Sequence, residues 1–185
     1  MPVPRLQIIH PGQLAMVALA VALVLADAHA QSLAPTTATG IGVWYQPDAP
    51  AVKDLWQPHD PGERLFLKII VRDPTGAPVA DAQVELWQAN GNGVVYENRY
   101  RARLRSANDG SVAVSTALPG YIWRARHIHL VVSHPGYARL ITRILFLGDP
   151  LLAEMEYPEL AINLEEGNID DEPALFGVAE IILNP

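Results

Sequence analysis

Two histidines flank one isoleucine at His127-Ile128-His129, inside the apolar run HIHLVV. Side chains alternate along a β-strand, so both imidazoles leave one face while Ile128 leaves the other. That arrangement suits a pair of metal ligands, and it equally suits two polar residues on a solvated strand face. The neighbourhood carries further reactive groups. Pro119-Gly120-Tyr121 forms the preceding turn, Arg124 lies three residues before His127, and Trp87-Gln88-Ala89-Asn90 leads through Gly91 and Gly93 to Tyr96. The chain has no cysteine, which excludes thiolate sites, cysteine nucleophiles and disulfide scaffolds. Any metal must be held by His, Tyr, Asp or Glu.

The elements that would position these groups are short strands. The chain has 185 residues, 13 Lys+Arg against 20 Asp+Glu, a net charge of -7 and a pI near 5.3, which argues against a nucleic-acid partner. Half of the residues are hydrophobic and 18% are charged, enough apolar material for one core and too little charge for a disordered acidic chain. With 13 Gly and 16 Pro, turns are favoured over long helices. Strands are expected from Arg64 through LFLKIIV, closing in the turn Asp73-Pro74-Thr75-Gly76, then over 82–87, 112–116, 128–132, 140–146 and 178–183. Their spacing predicts an all-β domain, an antiparallel β-sandwich with long loops and little helix, over 61–185. Residues 151–171 are acidic and weakly periodic, and read as a short helix or a covering loop. Residues 31–60 read as an extended arm pinned by Trp44 and Tyr45.

The first 30 residues read as an address. Arg5 and His10 precede the apolar run Leu14 to Ala26, whose 13 residues are too short to span a bilayer, and Ala28-His29-Ala30 supplies a small-x-small cleavage pattern. The expectation is a signal peptide of residues 1–30, with Gln31 opening an exported, periplasmic or secreted protein that keeps no stable membrane anchor.

Taken together, DPTGAP at 73–78, VELWQAN at 84–90, Asn108-Asp109-Gly110, PGYIWRARHIH at 119–129 and LGDP at 147–150 resemble the intradiol ring-cleaving dioxygenases, within them the protocatechuate 3,4-dioxygenase type. The resemblance covers nearly half of the chain. It implies one non-haem Fe(III) bound by two tyrosinates and two imidazoles, here Tyr96, Tyr121, His127 and His129, with Arg124 as the active-site arginine. Phenolate is a hard anionic donor that favours ferric over ferrous iron, and imidazole completes a mixed N/O site. The implied reaction inserts both atoms of O2 between the two hydroxyl-bearing carbons of a small catechol, giving a muconate-type diacid. Tyr121, displaced by substrate, would act as general base, and Arg124 would favour the negative charge that builds up.

Three departures stand out. Tyr96 lies one residue farther from Trp87 than in the protocatechuate enzymes, which makes Tyr100 a rival. Tyr96 is preferred because Gly93 places it just after the turn, whereas Tyr100 sits among Arg99, Arg101 and Arg103, read as solvated. Where the family often has Thr-Gln, this chain has Thr142-Arg143. In the pocket Arg143 would suit an anionic substrate, although an ordinary surface arginine is the favoured reading. The helical region by which catechol 1,2-dioxygenases dimerise is missing, so a homo-oligomer is left open. Trp123 is read evenly as pocket wall or packing anchor, His59 and His134 as exposed, and the acids at 165–172 as a solvated face. Two other functions compete: a non-catalytic β-sandwich binding module, and a same-fold metalloprotein using another ion such as Zn or Cu. Should Arg124 prove idle, Arg143 or Arg126 is next in line.

Overall fold

The computed structural model describes residues 32–42, 44–95 and 99–185. Both the expected leader at 1–30 and Tyr96 lie outside them. The described residues form nine strands in order: β1 (Arg64–Arg72), β2 (Gln83–Gln88), β3 (Arg101–Arg105), β4 (Ser111–Ala117), β5 (His127–His134), β6 (Tyr137–Phe146), β7 (Ala161–Ile162), β8 (Leu164–Ile169) and β9 (Glu172–Ile182). They form two sheets, ordered β4-β1-β9-β8 and β3-β2-β5-β6-β7. Strand pairs are antiparallel except β1 with β9 and β6 with β7, so each sheet is mixed. Among the described residues no helix is long and apolar enough to cross a membrane.

The sandwich follows from period-two burial. Along β1, Leu65, Leu67, Ile69 and Val71 are buried while Lys68 between them is exposed. They share a core with Val84 and Leu86 of β2, Ile128, Leu130 and Val132 of β5, and Ile144 of β6. Each buried aliphatic chain of this kind contributes about 1.5–3 kcal/mol. Because Ile128 and Leu130 point inward, His127 and His129 must point outward, and the same parity sends Trp87 and Arg143 to that outer face.

That face is not left to solvent. Residues 39–42 and 44–50 cross it as a strap, from β6 over β5 and β2 to β3. Thr39 N donates to Ile141 O (2.7 Å) and Thr142 Oγ1 to Thr37 O (2.8 Å). Farther along, the Tyr45 ring packs edge-on against Trp87 at 5.1 Å, and its hydroxyl donates to Glu85 (3.1 Å). At the far side Arg101 donates to Gln46 and to Pro47 O, and Arg103 N donates to Pro50 O. Arg101 is therefore buried, at 6% exposure, where its sequence context reads as solvated.

Residues 151–171 hold more strand than expected. Two short 3-10 turns, Leu152–Glu154 and Pro158–Leu160, precede β7 and β8. β8 and β9 meet at Asp170-Asp171, both at positive φ (51° and 64°), the backbone of a tight hairpin, and the expected acidic face is its exposed edge.

Candidate metal centre

One row of side chains crosses the outer face of the second sheet. Trp87 pairs in register with Arg101 on one side and with His129 on the other, and His129 pairs with Arg143. The His129 ring lies flat on Trp87, with centroids 4.8 Å apart and planes at 5°, and meets His127 edge-on at 4.8 Å. Both imidazoles are buried, at 8% and 7% exposure for His127 and His129. His127 Nδ1 is 2.8 Å from Ala125 O. A carbonyl can only accept, so Nδ1 carries the proton and the Nε2 lone pair is left for another partner. His129 Nδ1 is buried without any hydrogen-bond partner, a costly state for a polar atom unless a ligand or water meets the ring.

Burial holds both rings neutral. It is the main cause that lowers the pKa of His127, and it pushes His129 down to about 3, with His127, Arg143 and Arg124 adding to the shift. Neutral imidazole is the form a metal ion needs.

The two imidazoles line a cavity of about 400 Å³. Its roof is the strap, through Gly40, Gly42 and Trp44, and one wall is the loop Ile122-Trp123-Arg124. Gly42 is required where it stands. At φ +80° it faces the His129 ring, and a Cβ there would lie 2.9 Å from Cε1 and 3.3 Å from Nε2. Trp123 stands at the rim, 84% exposed, as a wall rather than a packing anchor. Arg124 lines the cavity as expected. Arg143 lines it too, against its favoured reading as a surface residue: its Nε is buried without a partner, and burial lowers its pKa ahead of repulsion from Arg124.

The tyrosines are placed differently. Tyr100 belongs to the hydrophobic core, at 5% exposure, and burial followed by the nearby Asp60 pushes its hydroxyl up to about 12. Its flanking Arg99 pairs with Asp60. Tyr121 borders a separate hollow with Gly62, Gly91 and Gly120, and the Arg126 guanidinium lies 4.5 Å over its ring. The loops around it touch backbone to backbone: a Cβ on Gly93 would fall 2.0 Å from Tyr121 O, and one on Gly120 2.3 Å from Gly93 N. The described residues thus bring His127, His129, Arg124 and Arg143 to one cavity, and Tyr121 to its neighbour. Among the described residues no cluster of three His, Cys, Asp or Glu forms a metal site, and the two imidazoles are the neutral nitrogen donors that line the cavity. His134 serves its own hairpin by accepting from Gly136 N (3.1 Å). The packing of Trp87 against His129 and the roof at Gly42 were not foreseen, although VELWQAN and the pair Gly40 and Gly42 mark both places in the sequence.

No family model matches the chain. A dioxygenase domain from a dioxygenase carbohydrate-binding protein fusion of Streptomyces sp. SirexAA-E superposes with a TM-score of 0.75 at 27% identity, covering 82% of this chain and 99% of that one. By sequence and by fold the chain is a relative of the intradiol ring-cleavage dioxygenases. A chlorocatechol 1,2-dioxygenase of Cupriavidus pinatubonensis is 28% identical over 135 residues, 58% of this chain and 53% of that protein. An intradiol ring-cleavage dioxygenase of Aspergillus niger is 27% identical over 151 residues, 65% of this chain and 48% of that protein. The chain thus spans about half the length of these intradiol relatives.

Proposed function

We propose that the chain is a non-haem Fe(III) intradiol dioxygenase that cleaves a small catechol-type aromatic with O2 between its two hydroxyl-bearing carbons. The observation that carries this reading is the pair of buried, neutral imidazoles of His127 and His129, one with its tautomer set by Ala125 and the other unpartnered at Nδ1, beside Arg124 in a roofed cavity. His127 and His129 are the nitrogen ligands, and Tyr96 and Tyr121 the tyrosinates. Tyr121 rests against Arg126 in this structure, so to serve as a ligand its ring would have to leave that guanidinium. When bound, ferric iron supplies the Lewis acid that binds a catecholate and makes it reactive toward O2.

The chain's own residues do the rest. Tyr121 Oη takes up a catechol proton as general base. Arg124 presents a guanidinium to the negative charge that develops during cleavage, inside a cavity where such a contact is only partly screened. The strap, with Trp44 and Trp123 at the opening, limits water at the reacting atoms. Residues 1–30 act as a leader, which places the protein outside the cytoplasm. That part is tested by sequencing the mature N-terminus, with Gln31 first as the expected result.

Tyrosinate-to-iron charge transfer makes the test visible. The purified protein loaded with Fe(III) is expected to be wine-red and to consume O2 with a catechol while forming a ring-opened diacid. A colourless, iron-free protein that stays inert after Fe(III) loading would overturn the reading in favour of a binding module, and stoichiometric zinc or copper would favour another metalloprotein.

A further inference from the structure

We propose that the outer face of the first sheet is a self-association surface, on which two copies of the chain pack face to face about a two-fold axis. The inference is independent of the proposed function.

The strap covers the second sheet, whereas the first presents an apolar groove of about 330 Å³. Its walls come from β1, β4 and β9, with Lys53 and Asp54 at the margin, so the described residues lay no cover over it. Phe66 and Phe176 pair in register there and stack, with centroids 5.6 Å apart and planes at 18°. Both rings are backed. The Arg64 guanidinium lies 4.6 Å over Phe66 and 4.8 Å over Trp56, and Phe176 lies on Gly167, where a Cβ would fall 2.7 Å from Cε2 of that ring. Val178, across from Lys68, is 54% exposed. An exposed apolar strip with a charged margin has the make-up of a protein interface.

Symmetry and charge select a second copy as the occupant. β1 and β9 run parallel at the centre of the sheet, and β4 and β8 run antiparallel to them on either side. A two-fold axis laid along the strands between β1 and β9 therefore exchanges β1 with β9 and β4 with β8 without reversing any strand, which is the aligned mode of sheet packing. Asp54, Ser115, Phe66, Phe176 and Glu165 occupy one level across the sheet. The same axis sets Phe66 of each copy on Phe176 of the other. It also brings the exposed Glu165 over Ser115, beside the exposed Lys53 and Lys68. Asp54 stands at that margin too, and the two lysines outnumber it. Four strands about 4.8 Å apart and about seven residues long give a face of roughly 400 Å² per copy. That is about half of what a stable complex buries on each side, so the dimer is a reversible one.

Sedimentation velocity of the full chain, from micromolar to submillimolar loading, is expected to show a monomer that passes into a dimer and no larger species. Val178→Lys, at an exposed site where substitution costs the fold little, should hold the chain monomeric throughout. Lys53→Glu and Glu165→Lys should each weaken the dimer at least about tenfold by setting like charges together. An equimolar mixture of those two variants should dimerise again, because each copy then meets the opposite charge at both contacts. A monomer at every concentration would overturn the inference and leave the face to a different protein. Dimers that survive Val178→Lys would place the interface elsewhere, and a ladder of species beyond the dimer would replace the two-fold contact by a head-to-tail one. Should Val178→Lys fail to fold by circular dichroism, the two charge reversals decide, and a mixture of them that stays monomeric overturns the inference.

Discussion

The backbone carbonyl of Ala125 accepts the Nδ1 proton of His127 across 2.8 Å, and that one bond turns Nε2 toward the cavity. The residue two positions ahead of the histidine therefore sets the ring's tautomer through its main chain, out of reach of side-chain substitution. Loss of a group that orients a ligand typically weakens metal binding 10–100-fold, so loss of the ligand itself should cost more. His127→Ala and His129→Ala are each expected to lower iron affinity by more than about 100-fold, read by metal analysis after dialysis. Full iron content in both variants would remove them from the ligand set.

The metal-free chain should lose stability on acidification. His129 stays neutral in the native state to about pH 3, whereas in the unfolded chain it takes a proton near 6.5. Between those values the unfolded state binds more protons, so stability falls as pH drops, by at most about 1.4 kcal/mol per pH unit for this group. Above 6.5 the group contributes no pH dependence. His127 shifts in the same direction. Urea unfolding at pH 7, 6 and 5 checks the slope, and His129→Gln should flatten it.

Replacing Tyr100 by Phe should leave the visible spectrum of the iron-loaded protein alone, since its hydroxyl is held in the core and raised to about 12. Tyr96→Phe, by contrast, should shift or bleach the band. The opposite pattern in paired spectra would exchange the two assignments.

Gly42→Ala is expected to cost about 1–2 kcal/mol, because a β-carbon is strained at its positive φ, and to displace the His129 ring it would press upon. Gly40→Ala is the matched control, with open space around its α-carbon. Thermal unfolding of both variants, with iron content measured alongside, separates a local effect on the imidazole from general loosening of the strap.

Arg124→Lys should keep iron and colour yet lose turnover, because lysine retains the charge without the planar fork. In Arg124→Ala a kcat drop of roughly 100-fold or more is the expected scale for one preorganised contact. Full activity by oxygen uptake would refute the role.

Much of this architecture was legible because strand parity is legible. HIHLVV places Ile128 in the core, and the outward direction of both histidines follows. What could not be read was which long-range segment covers that outward face. Arg101 looks solvated in RARLR because nothing local announces that Gln46 and Pro47 will close over it, and Arg143 looks like a surface residue for the same reason. The strand LEEGNI escaped notice because an edge strand with polar faces lacks the apolar alternation that betrays a buried one. Tyr121 was assigned through likeness to a family in which a phenolate reaches the metal, and no local pattern signals the ring's contact with Arg126.

The strap imposes an order of assembly. Thr36 donates its amide to Ile182 O and accepts from Ile182 N through Oγ1, a pairing that spans 146 residues. The segment leading into the roof is thus tied to β9, a strand made after the sheet it covers, and β1 likewise waits for β9, its parallel neighbour. Such high contact order belongs to chains that fold in milliseconds to seconds rather than microseconds. Until the strap docks on β6, β2 and β3, the two imidazoles lie on an open sheet, so an ion can reach them before the roof closes. A nascent chain stopped short of Ile182 would lack the tie at Thr36 that leads into that roof.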